Sequence, residues 1–204
     1  MLKYSIKNGY IENGIPIYLD PFEFDYKEYQ ISLPNKILSF NAEFRNGVLT
    51  GLGNFDVQNK EFIKEEISVE LSIIFPLITF QADYYQMKGA IYDIIPIAGK
   101  GIFEFQIHNL TISGKVYLKQ SDDEKSILIK EILNSQFDIQ QIISHVEFDN
   151  NIDDIANAII TDLLASYVNR FNQIFVKTYG ENFIKFFNHF LNNFDSWQIL
   201  ATLL

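Results

Sequence analysis

The sequence predicts an α+β fold in which a long, strongly curled β-sheet packs on a long C-terminal helix. Three features of the 204 residues predict it. Apolar and polar residues alternate from about residue 37 to 148, which is typical of strands. This alternation changes phase inside long stretches that contain few strand breakers. From residue 152 onwards, apolar residues recur at spacings of three and four, as on one face of a helix. Strands first and helices last favour a segregated arrangement over alternating βαβ units.

The N-terminal segment is the most interrupted part of the chain. Its breakers allow a short helix at most, followed by extended pieces; they are Gly9, Gly14, Pro16, Pro21 and Pro34. Acidic and aromatic residues alternate between residues 20 and 29, which indicates a partly exposed strand or arm. We therefore expect a single domain (1–204) with an N-terminal arm and short helix (1–36), a curled sheet (37–148) and C-terminal helices (149–204).

The phase change is clearest in the longest predicted strand. Its apolar positions follow odd numbers as far as Ile107 and even numbers from Leu110, with His108 and Asn109 between them. A shift of one residue sends side chains to the opposite face of a sheet unless a bulge or bend intervenes. Long strands with such shifts predict a sheet that curls strongly.

The last third of the chain predicts helices. Asp149, Asn150 and Asn151 offer N-cap chemistry before an apolar stripe that runs from Ile152 to Phe171 and continues to Phe175. Gly180 is expected to interrupt the helix, and an aromatic-rich second helical face follows it.

Composition and charge exclude several classes of function. The 16 basic and 26 acidic residues give a net charge of −10, which disfavours nucleic acid and stable association with anionic membranes. No segment reaches the roughly 18 apolar residues of a membrane span. The absence of cysteine removes disulfides, thiolate catalysis and cysteine metal sites. The N-terminus has no signal-peptide pattern, so we expect an intracellular protein or a mature, trimmed form.

Catalytic and metal-binding motifs are weak. His108, His145 and His189 have no metal-ligand spacing, no Gly-x-Ser-x-Gly motif occurs, and the acidic residues are scattered. We expect no metal, no cofactor and no catalytic group, although carboxylates on distant strands can still meet in space. Asn109-Leu110-Thr111 is a glycosylation acceptor pattern whose occupancy the sequence leaves open.

The apolar content is the remaining signal. Hydrophobic residues make up 48%, with 19 Phe and 11 Tyr. This number of apolar residues is compatible with a solid core and with a core that contains a ligand cavity, and periodicity alone does not distinguish the two.

A set of short motifs, in a fixed order along the chain, bears on the choice between these two interpretations. The chain contains Gly14-Ile15-Pro16 and Leu19-Asp20-Pro21-Phe22, then Gly51-Leu52-Gly53-Asn54-Phe55, Phe75-Pro76, Ala82-Asp83-Tyr84, Lys88-Gly89 and Ile95-Pro96-Ile97-Ala98-Gly99-Lys100-Gly101. This order resembles the insect takeout and juvenile-hormone-binding-protein family. The resemblance implies a tubular lipid-binding super-roll, in which a highly curved antiparallel sheet wraps a long C-terminal helix around an internal tunnel. It also implies secretion, although the signal peptide and N-terminal disulfide usual in that family are missing here.

The leading hypothesis is therefore non-enzymatic binding and transport of a small hydrophobic ligand, such as a terpenoid like juvenile hormone or a fatty acid. The alternatives are a binding module for microbial or membrane lipid and a lipid-acting enzyme. A cell-surface or carrier partner stays unidentified. The residues predicted to line the tunnel are Leu71, Ile73, Phe75, Phe80, Tyr84, Phe103, Phe105, Ile107, Ile159, Leu163, Tyr167, Phe171 and Phe175.

Overall fold

The computed structural model describes residues 2–32, 38–148 and 152–202. A short helix and a small hairpin come first: α1 (Leu2–Asn8), β1 (Tyr10–Glu12) and β2 (Ile15–Ile17). The strands of the main sheet follow: β3 (Phe22–Ser32), β4 (Leu38–Thr50), β5 (Asp56–Ile63), β6 (Ser68–Ile91), β7 (Ile95–Gln120) and β8 (Ile127–Val146). The helices α2 (Asp153–Arg170), α3 (Asn172–Leu191) and α4 (Trp197–Ala201) end the chain.

The main sheet is antiparallel and open. Its strand order is β3-β4-β6-β7-β8, and β5 pairs with the first part of β6. The predicted α+β class is thus confirmed, with a curved sheet that does not close as a barrel. The sheet begins earlier than residue 37, because β3, which was assigned to the N-terminal arm, pairs along β4 as the edge strand.

A crease crosses three neighbouring strands at one level. Phe75, Leu110 and Ile139 pair on one side of it, and Ile78, Ile107 and Ile142 pair on the other. In each strand the two inner positions differ by three in number instead of the regular two, so all three strands change phase together. The predicted phase change after His108 is therefore confirmed. Its backbone cause is Asn109, whose φ of +49° is a left-handed conformation that asparagine tolerates well.

A second change of phase lies further along β6. The register shifts between Ala82 and Tyr85, and Asn46 on β4 has a φ of +50° at the same level. The Asn46 Nδ2 donates to Asp83 Oδ2 at 3.2 Å. Bulges of this kind bend a strand and increase its twist, and the two creases together account for the strong curl.

The C-terminal helices run along β8. The break between α2 and α3 lies at Phe171, and α3 passes straight through Gly180, so the predicted interruption at Gly180 is wrong. Asn172 Nδ2 donates to the Phe137 carbonyl of β8 at 3.4 Å just after the break. The break keeps both helices alongside the curving strand. No Gly or Pro near Phe171 predicts a break at this position. The N-cap predicted at Asp149–Asn151 lies outside the described residues.

Three asparagines of the helices pair with the outer edge of β8. In each pair the side-chain Oδ1 accepts a hydrogen bond from a strand N–H, and Nδ2 donates to the carbonyl of the same residue. The pairs are Asn157 with Val146, Asn169 with Ile139 and Asn188 with Ile129, at N···O distances of 2.7 to 2.9 Å. An edge strand otherwise presents unpaired backbone groups. The amides therefore cover this edge and fix the helices against it.

The N-terminal arm is tied to the loop before β5. The Asp20 carboxylate accepts hydrogen bonds from the backbone N–H groups of Gly51 (2.9 Å) and Gly53 (2.7 Å). Gly51 has a φ of +96°, and a Cβ there would collide with the Leu77 carbonyl oxygen. Two of the recognised motifs therefore meet in space, and a glycine is required where they meet.

None of the helices formed by the described residues has the length and apolar character needed to cross a membrane.

Candidate ligand-binding site

The inner face of the sheet carries three separate hydrophobic clusters. The first lies toward the end of β6 and contains the buried residues Ala42, Phe44, Ala82, Tyr85, Met87 and Val146. Phe80 and Phe103 pack against it, and each of their rings lies 5.0 Å from that of Phe44. These two predicted tunnel residues are thus brought together in a dense aromatic end of the roll.

The second cluster is built at the start of β6. Ile73 and Phe75 pack there against buried Ile6, Phe55 and Phe190, which come from α1, the loop before β5 and α3. The rings of Phe55 and Phe75 lie 5.8 Å apart. Helix α1 and the end of α3 therefore cover this part of the sheet.

The third cluster joins the sheet to α2. Phe105, Ile107 and Leu110 of β7 pack with Ile160, Leu164 and Val168 around the buried core residues Ile139, Ile142 and Ala165. One side of α2 therefore lies on β7 and β8, as the apolar stripe predicts. Phe105 and Ile107 are brought into contact with the helix layer.

The central strand β7 is incompletely covered. Between Phe103 and Leu118, no residue of the strand is buried, although β6 and β8 flank it on both sides. In a solid two-layer core, the inward residues of such a strand would lose almost all of their accessible surface. Each residue of this stretch therefore keeps part of its surface accessible.

The bulge in β6 determines which of two neighbouring tyrosines, Tyr84 or Tyr85, faces the inner side of the sheet. Tyr85 is 1% exposed and donates a hydrogen bond to the Glu147 carbonyl. Tyr84, which was predicted to face the tunnel, pairs with Arg45 on the opposite side of the sheet, and the Arg45 guanidinium lies 5.3 Å from its ring centroid. The regular alternation used for the prediction does not include the extra residue of the bulge, so the structure replaces Tyr84 by Tyr85 on the inner face.

Two predicted helix residues lie on the other side of α2. Ile159 and Leu163 are 54% and 60% exposed, as is Ile155 at 66%. With Asp154, Ala158 and Asp162 they line an open groove of about 440 Å³. The predicted stripe was wide enough to include both sides of the helix, and only one side packs on the sheet.

The remaining predicted residues flank the sheet-facing side of the helices. The rings of Tyr167 and Phe171 lie 4.8 Å apart across the end of α2. Phe175 on α3 contacts Phe137 of β8, with ring centroids 6.2 Å apart. Leu71 is half-buried on β6, opposite Gly114 of β7.

Tyr92, at the tip of the β6–β7 hairpin, influences the ionisation of Tyr167 on α2. Burial raises the pKa of Tyr167, and the nearby phenol of Tyr92 at that tip raises it further. Tyr92 and its neighbour Ile94 are themselves exposed.

A second open groove, of about 270 Å³, lies at the start of α2. It is lined by Ile102, His145, Val146, Glu147, Asp153 and Asn157. Asp153 Oδ1 accepts a hydrogen bond from the Phe148 N–H at 2.5 Å, and Asn157 is held by Val146. These two polar side chains thus serve the connection between β8 and α2.

Comparison with known proteins gives a consistent result. The sequence profile of the family described as haemolymph juvenile hormone binding protein (JHBP) matches residues 1–201. The crystal structure of Takeout 1 from Epiphyas postvittana superposes with a TM-score of 0.65 at 17% identity, covering 94% of this chain and 88% of that one. A lipopolysaccharide binding protein gives a TM-score of 0.30 at 10% identity, over 72% of this chain and 34% of that one. No curated protein is significantly similar to the chain.

Proposed function

Since this chain belongs to the haemolymph juvenile hormone binding protein family, we propose that it binds and carries one small hydrophobic ligand, without chemical turnover, inside the curled sheet. The ligand class is a terpenoid or an acyl lipid. The word haemolymph in the family's description also supports an extracellular location for this chain.

The observation that carries the proposal is the accessible apolar surface inside the sheet. The molecule exposes 12759 Å², whereas a compact monomer of its mass exposes about 9,800 Å². The excess is roughly 3,000 Å², and the partial exposure of every β7 residue between Phe103 and Leu118 supports a ligand space beside this strand. An oily ligand in this space would cover surface that the protein leaves uncovered.

The free energy available is sufficient for a carrier. Each methylene that leaves water contributes about 0.8 kcal/mol, so a chain of about a dozen methylenes offers a gross gain near 10 kcal/mol. The loss of translational and rotational freedom offsets several kcal/mol of this gain. A dissociation constant near the micromolar range is expected.

The proposed site lies between the first and second clusters. In this proposal Phe105 and Ile107 on β7 form one wall, and Tyr167 on α2 and Phe171 at the break after α2 form the other. Phe80 and Phe103 close one end of the space, and Ile73 and Phe75 close the other. Leu71 and Phe175 extend the wall, and the exposed Ile159 and Leu163 lie outside it.

The test is a titration of the purified protein with a fluorescent fatty acid, together with native mass spectrometry of the solvent-extracted and unextracted protein. Ile107→Trp fills the proposed space and should weaken binding at least tenfold. Leu163→Trp makes a comparable change on the exposed side of α2 and should leave the affinity unchanged.

Two outcomes oppose the proposal. Absence of saturable binding to the wild-type protein would refute the carrier function, and loss of binding in Leu163→Trp alone would move the site to the outer groove. Because Ile107→Trp could disturb folding, Phe105→Leu provides a second measurement. It enlarges the same space and should shift the preference toward bulkier ligands.

A further inference from the structure

The crease across the sheet leaves Asn109 outside the regular strand pairing. The registers of β7 with β6 and with β8 both pass from His108 to Leu110 and skip Asn109, which lies opposite Pro76 on one side and Gln140 on the other. Its φ of +49° also departs from the extended conformation of a strand. Asn109 therefore occupies a turn-like interruption inside the long strand.

The side chain of Asn109 lies on the outer face of the sheet. Ile107 and Leu110 both pack in the cluster that joins the sheet to α2, so the two residues between them point to the other side. Asn109 is only half-buried, and its Nδ2 donates a hydrogen bond to Oε1 of the exposed Gln140. The amide therefore lies at the surface, on the side of the sheet away from the apolar inner face.

The residues that follow Asn109 set it apart from other asparagines of the same conformation. Among the described residues, Asn13, Asn46, Asn109 and Asn134 have a positive φ, which asparagine tolerates well. Only Asn109 is followed at the second position by a hydroxyl residue, Thr111, and no other asparagine of the sequence has Ser or Thr there. The backbone conformation explains an asparagine at all four positions. It does not explain the combination of an outward amide with Thr111.

We propose that Asn109 Nδ2 carries an N-linked oligosaccharide on the outer face of the sheet. The Asn-Leu-Thr sequence is the acceptor pattern for this modification, which belongs to secreted proteins. The inference therefore rests on the extracellular location proposed above. It adds a modified outer face, while the inner face is left to the ligand.

The chemistry fits the contacts of this amide. The co-reactant is an oligosaccharide linked to a polyprenyl pyrophosphate. A bond forms between Nδ2 and C1 of the first sugar as the bond from C1 to the pyrophosphate oxygen breaks, and one amide proton leaves with the pyrophosphate. A side-chain amide has two hydrogens. The remaining N–H of Asn109 can still donate to Gln140.

The test uses the full chain secreted from mammalian cells behind a cleavable signal sequence. The intact mass of the wild-type protein should exceed that of the polypeptide, and peptide N-glycosidase should remove the excess and leave aspartate at position 109. Thr111→Val keeps Asn109 and removes the acceptor pattern, so the excess mass should be lost. Thr111→Ser is the matched control, because it keeps the pattern and should keep the glycan.

Peptide mapping and ligand binding separate the outcomes. An unmodified Asn109 in the secreted wild-type protein would overturn the inference, and so would a glycan that persists in Thr111→Val. If Thr111→Val fails to fold, Asn109→Asp makes the same comparison, since aspartate also accepts the left-handed conformation. Weaker binding of a fluorescent fatty acid before enzymatic removal of the glycan than after it would overturn the outer-face position. If the glycan is present and neither form binds the fatty acid, the carrier function fails and the modification stands.

Discussion

The asparagine pairs on the edge of β8 make the strongest quantitative prediction for stability. Asn169→Ala removes both hydrogen bonds to Ile139, each 2.8 Å long, and leaves that N–H and carbonyl without their partner. Ile139 is only 8% exposed, so water replaces the lost bonds poorly. Each unsatisfied buried group costs about 1–3 kcal/mol. Alanine recovers about 0.5 kcal/mol of helix propensity. For the two groups together, the free energy of unfolding should fall by about 1.5–5.5 kcal/mol.

Equilibrium urea unfolding followed by circular dichroism measures this change. With a slope near 2 kcal/mol per molar urea, the midpoint should move down by about 0.8–2.8 M. Asn182→Ala is the matched control, because Asn182 is an exposed asparagine within α3 and its replacement should leave the midpoint unchanged or slightly higher. Hydrogen exchange gives a local measurement: the Ile139 amide should lose protection in Asn169→Ala. Equal midpoints for the two variants, with the Ile139 amide still protected, would refute the role of the amide pair.

Two further predictions concern the helix and the charged surface. Gly180→Ala should stabilise the protein by about 0.5–1 kcal/mol, because Gly180 is inside α3 and an added Cβ meets no atom within 4 Å; a lower melting temperature would show that this turn of the helix is not regular. Glu66 Oε2 lies 2.6 Å from Lys115 Nζ and accepts from the Tyr117 hydroxyl at 2.8 Å. The hydrogen bond from Lys115 lowers the pKa of Glu66 below 4.5, and the hydrogen bond from Tyr117 lowers it further. The ionised Glu66 therefore contributes its full stabilisation above pH 4.5, and this contribution is lost as the pH falls through the lowered pKa. Glu66→Gln should therefore lose stability at neutral pH and match the wild-type protein in strong acid, as measured by urea unfolding over this range; a constant difference would contradict the ion pair.

The regular parts of the fold could be predicted because their signals are local. Alternation marked the strands, and the odd-to-even change between Ile107 and Leu110 marked the crease before any partner strand was known. A strand side chain can point only to one face or the other, so a pattern shift requires a backbone adjustment. Asn109, with its left-handed φ, makes that adjustment within the chain itself.

The candidate site was predicted less completely, since its geometry depends on partners distant in sequence. The bulge that brings Tyr85 inward and sends Tyr84 outward is specified by pairing with β4 and β7. A wide helical stripe cannot indicate which of its sides meets the sheet, so Leu163 was placed inside and is exposed. One signal in the sequence points to the helix position. Asn157 and Asn169 are poor helix formers inside α2, which indicates that their side chains make a tertiary contact, here with the edge of β8.

The sequence by itself determined the class of fold, the strong curl, the helical C-terminus and an apolar supply suited to a ligand, because alternation, periodicity and composition belong to the chain alone. Only the tertiary structure decided where α2 and α3 lie, since the free edge of β8 that holds Asn169 and Asn188 exists only after the sheet has formed. The same holds for Tyr167. Its hydroxyl is buried and has no hydrogen-bond partner among the described residues, and no local pattern of the sequence indicates this.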